Sequence, residues 1–133
     1  MVTYDEAAAM LEAVLDEVPD ELFKGLSGGV ILAEEFKLHP KSIPQRPLYI
    51  MGEYRNNSLG RNIVLYYGSF SRVFAYRTRQ EFEDRLRHTF KHELRHHLEK
   101  MSGINTLNKY DHDKMAMYEM GMDINNFSEP PIG

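Results

Sequence analysis

Apolar residues recur in two distinct periods along this chain, and the change of period divides it into elements. From Thr3 to Val18, Ala7, Met10, Leu11, Val14, Leu15 and Val18 fall at steps of three and four, the spacing of a helix with one buried face. Thr3 followed by Glu6 reads as a capping box, in which each side chain satisfies a free backbone N–H at the helix start. Pro19 ends this helix, and Asp20 to Leu26 has room for a short second one. After Gly28-Gly29 the pattern becomes strand-like. Val30-Ile31-Leu32 is a short buried run, residues 36 to 47 with their three prolines read as a loop, and Leu48 to Tyr54 and Asn62 to Tyr67 read as an antiparallel pair about the turn at residues 55 to 60. Gly68 to Ser71 reads as a further connection. The helical period then returns over Thr78 to Ser102, with Thr78 and Glu81 as a second capping box and Gly103 as the expected stop. Phe82, Leu86, Phe90, Leu94 and Met101 share one stripe of that helix. Asp113 to Met120 reads as a short helix, and residues 122 to 133, ending Glu-Pro-Pro-Ile-Gly, as a loose tail. These elements predict an α+β fold in one domain spanning the 133 residues: a small, mainly antiparallel sheet packed against the N-terminal helix and the long helix.

Composition narrows what such a domain can do. With no cysteine, disulfides and thiolate-held metals are excluded, so any metal must sit on His, Asp or Glu. Sixteen basic and 20 acidic residues give a net charge of −4, which argues against nucleic acid or an anionic membrane as partner. The start carries no signal-peptide pattern and no apolar run approaches spanning length, so a cytoplasmic protein is expected.

The chemistry is concentrated in the long helix. His92, Glu93 and His96 spell H-E-x-x-H, and residues four apart stand on one face, one turn above the other. Two imidazoles so placed can bind one zinc ion, and the intervening carboxylate can act as general base toward a water held by the metal. Six histidines in the chain make a chance match easy, and the basic residues of this helix fit an ordinary solvated face, so the helical context gives the motif its weight. On the helical wheel His88, His92, His96 and Glu99 lie opposite Phe90 and Leu94, while His97 points toward the apolar side as a hydrogen-bonded core histidine. A zinc site needs a third protein ligand. Three ligands along one straight helix converge poorly, so Glu99 reads as a neighbour of the site. Asp111, His112 and Asp113 offer the ligand instead, with Asp111 preferred; the alternative for Asp111 and Asp113 is an N-cap.

Phe90-Lys91-His92-Glu93-Leu94-Arg95-His96-His97, the Val18-Pro19-Asp20-Glu21-Leu22 step and the Arg61 to Gly68 strand, in this order, resemble the minimal zincin-like metallopeptidase family of small bacterial proteins over roughly residues 4 to 121. The resemblance implies a zinc-dependent peptidase acting on peptide or protein substrates, with His92 and His96 as ligands, Glu93 as catalytic base and an aspartate as third ligand. Many members have a glycine three residues past the second histidine and the aspartate three residues later; here Glu99 and Ser102 hold those positions, so the aspartate comes from farther on. That departure keeps a second expectation open, a non-catalytic zinc-binding or partner-binding module. For a peptidase, Leu48 to Tyr54 is the expected edge on which an extended substrate adds as a strand.

Overall fold

The computed structural model describes residues 1–104. Helix α1 (Tyr4–Asp16) begins where the capping box predicts: the Glu6 N–H donates to Thr3 Oγ1 (3.1 Å) and the Thr3 N–H to the Glu6 carboxylate (2.9 Å). A 3-10 helix follows at Asp20–Phe23 and buries Leu22. Five strands come next: β1 (Gly29–Ala33), β2 (Lys37–Leu38), β3 (Tyr49–Ile50), β4 (Gly52–Asn57) and β5 (Gly60–Tyr66). Then come helices α2 (Tyr67–Val73) and α3 (Arg79–Ile104).

The main sheet has the order β1-β5-β4 and is mixed. β4 and β5 form the expected antiparallel hairpin, from Asn57↔Gly60 to Gly52↔Leu65, and β1 joins β5 in parallel, from Gly29↔Asn62 to Ala33↔Tyr66. Ser58 and Leu59 make the hairpin turn, tighter than the six-residue turn read from composition. The segment expected to be all loop contains β2, which pairs with β3 as a second small sheet. The expected connection at residues 68 to 71 is helical, because Phe70 is carried into the core and Gly68 and Ser69 are buried beside it.

Alternation along β5 sends Ile63 and Leu65 to one face and Val64 and Tyr66 to the other. The first pair meets α1, through Ala7, Leu11 and Val14, and α3, through Phe82, Leu86, Phe90 and Leu94. Each of these large α3 side chains contributes about 1.5–3 kcal/mol by leaving water, which fixes the long helix in rotation against the sheet. Gly103 was the expected stop of α3, but the helix runs through it to Ile104. No atom stands within 4 Å of a Cβ built at Gly103, and its φ lies outside the positive region, so nothing there forces a left-handed cap. Among the described residues, no helix is long and apolar enough to cross a membrane.

Candidate metal centre

Because α3 is fixed by its apolar stripe, the positions of its polar side chains follow. Thr89, Glu93 and His97 stand four apart and are all buried, along the flank of the apolar stripe. His92 and His96 stand on the adjoining flank, where His92 is half-buried and His96 reaches the surface. Their Nε2 atoms face each other at 3.2 Å, with ring centroids 4.7 Å apart and planes at 85°. Two nitrogens bound to one tetrahedral ion at about 2.0–2.1 Å lie roughly 3.3 Å apart, so this pair already has the spacing of a shared metal. A carboxylate oxygen of Glu93, whose residue is 1% exposed, completes a group of three ligand atoms within 4.8 Å of one another. Partial removal of the His96 ring from water lowers its pKa, against the opposing pull of Glu99, and favours the neutral imidazole that a metal requires. The residues therefore fit a zinc ion.

The surrounding residues sort as follows. Glu99 is exposed and accepts a hydrogen bond from Arg95 Nε at 2.8 Å, an i,i+4 surface pair, as its reading as a bystander required. His88 lies one turn before His92 and is half-buried. His97 is fully buried, as its side of the helix predicted. Its Nε2 lies 2.9 Å from the Lys24 carbonyl, which can only accept, so the neutral ring carries its proton there and Nδ1 accepts from the Tyr54 hydroxyl at 2.8 Å. Burial raises the Tyr54 pKa, which keeps that hydroxyl a donor. One histidine thus ties α3 to β4 and to the turn after the 3-10 helix. Asp111, His112 and Asp113 lie outside the described residues.

β4 brings the sheet to the metal helix, by a device the sequence reading missed. The run from Leu48 to Tyr54 is not one regular strand. Tyr49 and Met51 face the helices and Ile50 the opposite side, yet Gly52 also faces the helices, as does Tyr54. Two successive inward residues, Met51 and Gly52, break the alternation at the joint where β3, of the small sheet, passes into β4, of the main sheet. A Cβ at Gly52 would lie 2.8 Å from Leu65 Cδ2 and 3.0 Å from Thr89 Cγ2, so glycine is what lets β4 approach α3 one turn before Glu93. A lone glycine inside a strand pattern was the signal for it. From Gly52 on, β4 forms one border of the main sheet, and among the described residues its far edge pairs with no strand. The metal group therefore sits beside an open strand edge.

Comparison with known proteins agrees with this arrangement. A conserved hypothetical protein from Thermo thermophilus, known from a solved structure, is 34% identical and superposes with a TM-score of 0.67 over 77% of this chain and 100% of its own. No curated protein matches the chain. A sequence model described as zincin-like metallopeptidase matches residues 2–106, which take in the hairpin and all of α3. The chain belongs to the zincin-like metallopeptidase family.

Proposed function

We propose that the chain is a zinc-dependent peptidase. The observation that carries this reading is the facing of His92 and His96 Nε2 atoms at 3.2 Å beside the carboxylate of Glu93. His92 and His96 would hold the ion, with Asp111 as third ligand. Zinc bound there would supply a Lewis acid that polarises a peptide carbonyl and brings the pKa of water toward neutrality. Glu93 takes the proton of the attacking water and delivers it to the leaving amine; its burial keeps the carboxylate in one orientation and away from competing bulk water. The free edge of β4 aligns an extended substrate by backbone hydrogen bonds, and Gly52 sets how close β4 lies to the helix. The chain is expected to work in the cytoplasm on peptide or protein substrates.

A second reading, a zinc-binding module without turnover, is favoured by one feature: Glu99 stands where many relatives have glycine, and its side chain is already engaged with Arg95. Elemental analysis and a peptide-library digest separate the two. The peptidase reading expects about one zinc per chain, lost in His92→Ala and reduced in Asp111→Ala, with hydrolysis abolished in Glu93→Gln. A full complement of zinc with no cleavage of any library member would establish the second reading instead. No zinc uptake at all would defeat both.

A further inference from the structure

Upstream of β3, residues 36 to 47 form an arm unlike the rest of the chain. The arm contains Lys37, Lys41 and Arg46 and no acidic residue, in a chain with more acids than bases. Three of its large apolar side chains stand in water: Phe36 is 42% exposed, Leu38 44% and Ile43 47%. Single exposed apolar residues are ordinary, but three within eight positions of one cationic stretch are a concentration that suits a partner.

The arm is held in shape with that surface outward. The His39 N–H donates to the Leu48 carbonyl at 2.8 Å, the Leu48 N–H to Ser42 Oγ at 2.9 Å, and the Lys41 N–H to His39 Nδ1 at 3.0 Å. Pro40, Pro44 and Pro47 restrict the backbone between these bonds. Alternation in β2 places Lys37 opposite Phe36 and Leu38, where both oxygens of Glu53 accept from its Nζ at 2.9 Å. Phe36 is braced by the Tyr49 ring, at 5.9 Å between centroids, and by the Arg72 guanidinium, at 4.0 Å from its centroid. Tyr49 in turn packs on the core beneath the helices, so Phe36 and Leu38 stand on the helix side of the sheet. Among the described residues, the side chains of Lys41 and Arg46 make no hydrogen bond or ion pair. A surface ordered in advance loses little entropy when a ligand arrives.

We infer that this arm docks an acidic, apolar segment of polypeptide. The cations call for acidic side chains and the patch for apolar ones, at alternate positions of an extended chain. The arm leads through β3 directly into β4, so a chain lying on the β4 edge and continuing past Gly52 would run on to it. Naming that chain a substrate rests on the peptidase reading; the docking itself does not. An anionic bilayer is the poorer occupant, because it would also meet the acidic remainder of the molecule, whereas a short segment meets the arm alone.

Fluorescence anisotropy on the full-length, zinc-supplemented protein tests this with two short labelled peptides, one alternating leucine with glutamate and one alternating leucine with lysine. The acidic peptide is expected to bind at least about tenfold more tightly, with a preference that fades as salt rises. Lys41→Glu with Arg46→Glu should remove or invert that preference, and Leu38→Ser with Ile43→Ser should weaken the acidic peptide independently. Equal binding of the two peptides, a preference unchanged in both double variants, or adhesion to phosphatidylserine vesicles without binding of the acidic peptide would each overturn the inference. Hydrolysis is not the readout. Charge-selective binding without cleavage would leave the arm's role standing while the peptidase reading failed, and cleavage without charge selection would do the reverse.

Discussion

Glu93 and His97 lie on consecutive turns of α3 and both leave water, but different partners give them different tasks. Glu93 shares its site with two imidazoles that fit a metal, which is why the peptidase reading proposed above makes its carboxylate the base. Glu93→Gln keeps size and polarity and removes only the base. It is expected to retain zinc while lowering the turnover number about 10²–10⁴-fold, the usual contribution of a positioned general base. Metal content and steady-state kinetics on one preparation check this, and an unchanged rate would remove Glu93 from the mechanism. His97 has both ring nitrogens engaged, with the Tyr54 hydroxyl and the Lys24 carbonyl. His97→Ala leaves the Tyr54 hydroxyl and the Lys24 carbonyl without this partner and opens space in the core, for an expected loss of about 2–4 kcal/mol. Tyr54→Phe alone should cost about 1 kcal/mol. Urea unfolding of the two single variants and the double variant should give a coupling energy above about 0.5 kcal/mol. Strict additivity would mean that the hydrogen bond contributes nothing.

Elements that carry local chemical marks were legible in the sequence; those set by distant contacts were not. Both capping boxes placed a helix start to within a residue, because the cap is closed by side chains three positions apart. H-E-x-x-H was legible for the same reason, since two imidazoles one turn apart need only a helix to meet. No such local mark singled out one of Asp111, His112 and Asp113 as a third ligand, and these lie outside the described residues. Helix α2 was missed because Gly68-Ser69-Phe70-Ser71 has the composition of a turn, and burial of Phe70 overrides that preference. The parallel pairing of β1 with β5 was missed as well, since an apolar run of three residues does not record the direction of its neighbour. The close approach of β4 to α3 lies between these cases: Gly52 was visible, but the crowding by Leu65 and Thr89 that requires it was not. Gly52→Ala should therefore destabilise the protein by about 1–3 kcal/mol, the range for overpacking. Thr89→Ser, which removes the crowding methyl, should recover part of that loss. If Gly52→Ala melts with the wild type, the neighbours can move aside and the approach does not depend on glycine.

At the scale of the whole molecule, the cationic arm must be joined to an otherwise acidic chain, and Glu53 is the junction. Projecting from β4 on the face away from α3, it accepts from Lys37 of β2 and from the Tyr66 hydroxyl of β5, while Arg55 donates to Tyr66 at 2.8 Å. Burial alone pushes the Glu53 carboxyl up; the Tyr66 hydrogen bond and the bond and charge of Lys37 outweigh it and hold the pKa below the ordinary carboxylate value of 4.5. A depressed folded-state pKa means that the unfolded chain binds the proton first, so stability rises with pH across this range. The contribution of Glu53 is fully present above the unfolded pKa and is lost as pH falls through the lower folded value. Glu6 and Glu17, lowered by hydrogen bonds to Thr3 and Arg87 respectively, share this acid limb, so the difference between wild type and Glu53→Gln isolates the junction. Thermal unfolding followed by circular dichroism should show the wild type losing more stability than Glu53→Gln as pH falls below the ordinary carboxylate range. Because the bond lost is the one from Lys37, hydrogen exchange should then accelerate in residues 36 to 47 before it does in α3. Parallel stability curves, or exchange that rises uniformly across the chain, would mean that the arm is held by its apolar contacts and the charge at Glu53 is incidental.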